Sequence, residues 1–145
     1  MKSFRFSLQK VLEWRQTELE LAEAGYKRET SAVLAIDEAR RDLAREAESA
    51  ELEVRRGAVR GCDLSALSNY RKQVKKLDGD LLTRRDEAQK RVQDAQRELM
   101  EARRRCRLLE RLGERRRAEW QAECDVELEE AAAESYLARW VRGQA

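Results

Sequence analysis

The sequence contains no proline and no histidine, and it has only three cysteines in 145 residues. Proline interrupts helices, so its absence leaves long helices without their strongest breaker. Without an imidazole, the chain lacks the side chain on which most zinc sites and many acid–base pairs depend. The cysteines, at 62, 106 and 124, have neither the even number of a disulfide framework nor the spacing of a metal site. We therefore expect reduced thiols, with no catalytic residues, no metal and no cofactor.

Aromatic residues and long apolar runs are also scarce, whereas charged residues make up 41% of the chain. A compact domain of this length needs a thick apolar core, and a chain rich in Ala, Glu, Arg and Leu is instead typical of long helices and coiled coils. No stretch after Lys2 and Arg5 is long and apolar enough for a signal peptide or a membrane span. We expect a cytoplasmic protein without a cleaved export signal.

The charge is nearly balanced over the whole chain, at a net +2, but it is segregated towards the C-terminal end. Residues 101–117 hold eight arginines and three glutamates, and residues 118–134 hold seven acidic residues and no basic ones. Clustered arginines bind phosphate well. However, Glu101, Glu110 and Glu114 are interleaved with them, and the acidic segment follows directly. We therefore expect a solvated, dipolar helix and no nucleic-acid partner.

The first half of the chain repeats seam residues in steps of three and four. This period of 3.5 residues is that of a left-handed coiled coil. Arg15, Glu29 and Arg40 complete a repeat whose other members are apolar. Those members are Leu8, Leu12, Leu19, Ala22, Tyr26, Val33, Ile36, Leu43, Ala47, Ala50 and Val54.

A turn is predicted over residues 57–63, where Gly57 is a helix stop signal and Asp63 is a suitable N-cap for a second helix. We expect helix one over about residues 4–56 and helix two over about 64–142. The second helix carries a second series of seam residues, which are Leu67, Tyr70, Val74, Leu77, Leu81, Ala88, Val92, Ala95, Leu99, Ala102, Cys106, Leu109 and Leu112.

The two repeats agree on one register. If the chain folds back near residue 60 or 61, facing residues have numbers that sum to about 121. Leu12 then faces Leu109, and Val33 faces Ala88. The sequence therefore predicts an all-α fold, a single long antiparallel two-helix coiled-coil hairpin over residues 1–145. Because two long helices offer no deep pocket, we expect neither an enzyme nor a small-molecule substrate.

Helix two is predicted to be the longer helix and to overhang helix one at its C-terminal end. By the register, Phe4 lies opposite residue 117, so the chain beyond it has no intramolecular partner. A lone helix with an apolar stripe is only marginally stable in water, so this overhang needs a partner. Its stripe is Trp120, Cys124, Leu128, Ala131, Ser135, Ala138 and Val141, with Tyr136, Leu137 and Trp140 beside it.

Four segments resemble, in order and spacing, the FliJ family of flagellar type III export proteins. They are FRFSLQKVLEWR at residues 4–15, GCDLSALSNYRKQVKKLD at 61–78, LLERLGERR at 108–116 and VELEEAAAE at 126–134. Members of the family begin with a similar Phe-x-Phe-x-Leu-x-x-Val-Leu segment and place a tyrosine shortly after the turn, as Tyr70 stands here. The resemblance runs nearly from end to end.

The resemblance implies a non-enzymatic stalk that enters the hexameric ring of the export ATPase, promotes its assembly and activity, and contacts the export-gate membrane protein. Export chaperones are a further class of partner, and any association with the inner face of the cell membrane at the flagellar base is peripheral, through partners only. The residues implied for the ring, called the ring-facing set, are Phe4, Phe6, Trp14, Leu112, Arg115, Arg116, Trp120 and Leu128. The gate-facing set is Tyr70, Gln73 and Leu77, with Gln73 where family members often have an aromatic residue.

Two alternatives stay open from the sequence. One is the equivalent stalk protein of an injectisome, which shares the hairpin. The other is a self-assembling structural coiled coil without an ATPase partner, in which the overhang mediates dimerisation.

Overall fold

A computed structural model describes residues 3–58 and 60–144 of the chain. Over these residues the chain forms two helices, α1 over Gln9–Arg56 and α2 over Gly61–Gln144, and no strand. The longer α2 packs against α1, so the predicted all-α helical hairpin is confirmed. Position 59 of the expected turn, and positions 1, 2 and 145 of the expected hairpin, lie outside the described residues.

Contacts divide the chain into two compact units, each of which contains parts of both helices. The turn unit is Leu21–Met100. The end unit combines Met1–Glu20 with Glu101–Ala145.

The helices of the turn unit bury a narrow seam between them. Val33, Leu99 and Ala88 are buried, and Ala88 has no exposed surface. Every predicted seam position of α1 from Ala22 to Val54 is buried or half-buried. Burial of apolar surface contributes about 25 cal/mol per Å², so this seam is the main source of stability in the turn unit.

Ion pairs between the helices of the turn unit report the register. Their residue numbers sum to values from 118 to 122, close to the expected value of about 121. The helices of this unit therefore run antiparallel in the predicted register. The pairs are Arg40–Asp78 at 2.8 Å, Arg85–Asp37 at 2.7 Å, Arg71–Glu51 at 2.8 Å and Arg91–Glu29 at 3.3 Å.

Helix α2 begins at Gly61, earlier than the expected residue 64. The backbone N–H of Arg60 donates to Asp63 Oδ2 at 3.0 Å, and the N–H of Asp63 donates to the carbonyl oxygen of Arg60 at 3.1 Å. Asp63 is thus the third helical residue, and its carboxylate reaches back to the residue before the helix, as in one half of a capping box. The prediction of Asp63 as the N-cap itself was wrong by one turn.

Helix α1 begins at Gln9, later than the expected residue 4. Residues 3–6 are not helical, although Phe4 and Phe6 are half-buried. An extended chain advances about 3.3 Å per residue, against 1.5 Å in a helix. Because of this difference, Phe4 reaches beyond its expected position opposite residue 117, and its ring contacts that of Trp120.

The overhang of α2 is consequently shorter than predicted. Trp120 is half-buried, and Cys124 is only 6% exposed within the chain itself, so neither needs the external partner that the sequence suggested. From Asp125 to Gln144 every residue is exposed. The overhang therefore begins at Asp125.

Candidate functional site

The ring-facing set lies wholly within the end unit, although its members come from both ends of the sequence. The hairpin connection brings these two ends of the sequence into one unit. Three members, Phe4, Phe6 and Trp120, are half-buried within the chain. The exposed members are Trp14, Leu112, Arg115, Arg116 and Leu128.

Aromatic contacts join the non-helical N-terminal segment to α2. The rings of Phe4 and Trp120 are tilted by 48°, with centroids 5.7 Å apart, a favourable geometry for an aromatic pair. The ring of Phe6 lies over Gly113, with ring atoms 3.5–3.7 Å from the position that a Cβ would take there. We call Phe4, Phe6, Gly113 and Trp120 the aromatic clasp. Its aromatic side chains already have partners within the chain, so their first role is to hold the end of the hairpin together.

Gly113 is the member of the clasp that sequence reasoning missed, because a glycine has no side chain that would suggest a contact. Its position could have indicated this contact, because the residue numbers of Phe6 and Gly113 sum to 119, close to the value of about 121 expected for facing residues. Without a side chain at this position, the Phe6 ring lies directly against α2.

Trp14 lies near the start of α1 and is exposed, with 56% of its surface accessible. The guanidinium carbon of Arg15 lies 4.7 Å from the centre of its indole ring, within the range of a cation–π contact. Arg15 Nη1 also donates to Glu18 Oε2 at 2.7 Å. Because tryptophan and arginine are the residue types that most often dominate binding energy, this pair is a candidate contact point.

Arg115 and Arg116 share one carboxylate. Arg115 Nε lies 3.1 Å from Glu119 Oε1, and Arg116 Nη1 lies 3.1 Å from Glu119 Oε2. Two guanidinium groups against one carboxylate leave a local positive charge on an exposed part of α2. Such a charge orients a negatively charged partner more than it adds affinity.

The overhang presents apolar side chains to solvent among acidic residues. Leu128 is 54% exposed, and it is flanked by Glu127 and Glu129. Exposed apolar residues on a single helix are typical of a surface that binds another protein. The other exposed apolar residues of the overhang are Val126, Tyr136, Leu137, Trp140 and Val141.

The gate-facing set lies in the turn unit, near two grooves between its helices. Tyr70 is half-buried and lines a groove of about 790 Å³. Leu77 is exposed and lines a smaller groove of about 350 Å³, and Gln73 is exposed. The larger groove has apolar walls of Leu34, Leu43, Ala44, Ala47 and Val74, and the pairs Arg40–Asp78 and Arg71–Glu51 also line it.

Leu77 was expected in the seam, and the structure places its neighbour Asp78 there instead. Asp78 is half-buried because both of its carboxylate oxygens accept hydrogen bonds from the Arg40 guanidinium, at 2.8 and 3.4 Å. Since Arg40 was itself a seam position, a polar residue of α1 selects a polar partner on α2.

The interhelical ion pairs shift the titration of their carboxyl groups. The hydrogen bond from Arg40 lowers the pKa of Asp78, and the hydrogen bond from Arg71 lowers the pKa of Glu51. Both groups are therefore ionised at neutral pH, so both charges of the ion pairs beside the larger groove are present there.

The three free cysteines differ in their surroundings. Burial raises the pKa of the Cys106 thiol, with a further contribution from Glu110, and burial also raises the pKa of the Cys124 thiol. Cys62 is exposed beside the turn. Because the thiolate is the reactive form, Cys106 and Cys124 are suited to packing rather than to chemistry.

Within residues 3–58 and 60–144, no group of three or more Cys, Asp or Glu side chains is arranged to hold a metal ion. In the same part of the chain, neither helix is apolar enough over a sufficient length to cross a membrane. Comparisons with protein-family models, with curated proteins and with solved structures found no match.

Proposed function

We propose that this chain is a non-enzymatic accessory protein of flagellar type III export, similar to the FliJ family, whose end unit binds the hexameric ring of the export ATPase. One observation carries the proposal. The ring-facing set, drawn from both ends of the sequence, is gathered in the end unit, where exposed apolar and charged side chains lie beside a packed aromatic clasp.

Exposure divides the proposed binding roles within the end unit. Trp14 and Leu128 are the most exposed apolar members and supply affinity by burying their surface in the ring. Arg115 and Arg116 steer the approach through their excess positive charge. Phe4, Phe6 and Trp120 act indirectly, because they hold the non-helical residues that precede α1, the helix that carries Trp14, against α2.

The turn unit is the proposed contact for the export gate and for export chaperones. Its larger groove offers Tyr70 and Val74 between two ion pairs, so it suits a partner segment with an apolar centre and charged ends. On this proposal the protein is cytoplasmic, and it reaches the inner face of the membrane only through these partners.

The test is ATP hydrolysis by the cognate export ATPase, measured with and without this protein. We expect the wild-type chain to raise the rate, and we expect Trp14→Asp and Leu128→Asp to lose most of that stimulation while keeping their helical circular dichroism. Leu21→Asp is the matched control, since Leu21 is an apolar residue in the turn unit that is at least as exposed as Trp14 and Leu128. It should stimulate like the wild type.

The proposal fails if the wild-type chain leaves hydrolysis unchanged, or if all three variants stimulate equally. Stimulation of an injectisome ATPase in place of the flagellar one would keep the stalk mechanism and reassign the system.

A further inference from the structure

Helix α2 carries a second stripe, apolar except at its charged centre, on the side that faces away from α1. Leu108 is 58% exposed and lies two residues after the buried Cys106; Val126 is 53% exposed and lies two residues after the buried Cys124. Two residues correspond to about 200° around a helix, so both apolar side chains lie opposite the seam with α1.

This outer stripe has the period of a coiled coil. Between Leu108 and Val126 its members recur in steps of four and three, the spacing that keeps side chains on one face over several turns. Every member is exposed. The members are Leu108, Leu112, Arg115, Glu119, Ala122 and Val126.

The outer stripe is complementary to itself in the reverse direction. When two copies run antiparallel about residue 117, facing residues have numbers that sum to 234. Leu108 then faces Val126, Leu112 faces Ala122, and Arg115 faces Glu119, each pair occurring twice by the two-fold symmetry. Such a pairing of one patch with itself is the usual form of a two-fold interface.

Charges beside and beyond the stripe agree with the same register. Arg105 faces Glu129, since their numbers also sum to 234, and Arg111 flanks Asp125 across the interface. The arginine-rich residues 101–117 thus lie along the acidic residues 118–134 of the second copy. A parallel arrangement would set arginine against arginine. Flanking charges of this kind select orientation and partner in coiled coils.

We propose that a second copy of this chain covers the outer stripe in an antiparallel dimer centred on residue 117. Near the two-fold axis Arg116 meets its own counterpart, and each guanidinium is held by Glu119 of its own chain at 3.1 Å. The dimer stands independently of the proposed function. If both proposals hold, one molecule cannot form this dimer and bind the ring at the same time, because Leu112 and Arg115 belong to the outer stripe and to the ring-facing set.

The test is sedimentation equilibrium of the full chain without ATPase. We expect a dimer for the wild type. Arg115→Glu sets a carboxylate against Glu119 of the second copy, and Glu119→Arg sets a guanidinium against Arg115. The dimer affinity of each variant alone should therefore fall about tenfold or more. An equal mixture of the two variants should restore the dimer, because each unlike pair is then formed between chains.

Arg45→Glu is the matched control, since it also breaks an exposed pair within one helix, Arg45–Asp42 at 2.6 Å, but lies in the turn unit. It should dimerise like the wild type, and circular dichroism should show that all variants remain helical. A monomeric wild type overturns the proposal, as does a dimer that Arg115→Glu leaves equally tight. A wild-type dimer whose two variants stay monomeric when mixed overturns the antiparallel register.

Discussion

The turn unit and the end unit use the same two helices but differ in what lies between them. In the turn unit, arginine–carboxylate pairs such as Arg40–Asp78 and Arg85–Asp37 cross from one helix to the other beside a thin aliphatic seam. In the end unit, aromatic contacts join the non-helical N-terminal segment to α2, with Phe4 on Trp120 and Phe6 on Gly113.

The two kinds of contact have different roles, because ion pairs determine how the helices align and aromatic contacts hold segments together. Partly exposed ion pairs contribute little net stability, but each is formed in only one alignment of the helices. Aromatic contacts remove more apolar surface from water, and they tolerate a segment that is not helical. The turn unit therefore defines the alignment, and the end unit holds a non-helical segment that would otherwise fray.

The largest effect is expected from a substitution that disrupts the seam of the turn unit. Ala88→Asp places a carboxylate where Ala88 has no exposed surface, without a designed partner, and should lower the free energy of unfolding by about 3 kcal/mol. Urea unfolding followed by circular dichroism measures this. Ala35→Asp, at an exposed position of α1 in the same unit, should change stability little. Equal losses for the two variants would mean that the seam is not the core of the unit.

The next largest effect is expected from a substitution that disrupts the aromatic clasp of the end unit. Phe4→Ala removes the ring against Trp120 and should cost about 1–2 kcal/mol of local stability. We expect faster alkylation of Cys124, which lies one helical turn beyond Trp120, measured by mass spectrometry of the labelled peptides. Trp14→Ala is the control, because Trp14 is exposed, and it should leave the labelling rate unchanged. If Cys124 were alkylated as slowly in Phe4→Ala as in the wild type, the result would contradict the role of the aromatic clasp.

A smaller effect compares one helical glycine from each unit. A Cβ at Gly79 would meet nothing within 4 Å, so Gly79→Ala should raise stability by about 0.5–1 kcal/mol through helix propensity alone. Gly113→Ala should gain similarly, because its Cβ would make an ordinary contact with Phe6 at 3.5 Å. Gly113→Leu should instead lose stability by displacing the Phe6 ring. Thermal unfolding of the three variants measures the contrast, and a gain for Gly113→Leu would show that Phe6 does not need this place.

The smallest expected effect is the loss of thermal stability at acidic pH. The pKa values of Asp78 and Glu51 are lowered in the folded chain, so their contribution is present at neutral pH and is lost as the pH falls through about 4 and below. We expect Tm to fall in this range, and Asp78→Asn to reduce the fall by removing one of the titrating groups. Thermal unfolding between pH 3 and pH 7 measures both. An unchanged acid dependence in Asp78→Asn would assign it to other carboxylates.

The register of the hairpin was predictable because the seam follows from local periodicity on each helix, and two independent periodicities had to agree. Where the prediction was wrong, the deciding contact was not local. The start of α1 depends on Phe4 reaching Trp120, far along the sequence, and the choice of Asp78 over Leu77 depends on Arg40 of the other helix.

For the candidate site, the resemblance to the FliJ family suggested the members of the ring-facing set but not their exposure. Phe4, Phe6 and Trp14 stand close together in the sequence, yet only Trp14 is exposed. Their difference arises because Phe4 and Phe6 precede α1 and fold onto α2, whereas Trp14 lies within α1, one position from a seam residue. Helical periodicity says nothing about residues outside the helix.

The interhelical ion pairs of the turn unit also oppose sliding of one helix along the other. A displacement of one heptad in one direction would bring Arg40 opposite Arg85 and Glu51 opposite Asp78; in the other direction it would bring Arg40 opposite Arg71 and Asp37 opposite Asp78. Both alternatives set like charges together, which is unfavourable in a partly buried seam. A pull on one helix of this unit is therefore carried by both helices, and the unit transmits load as a single strut.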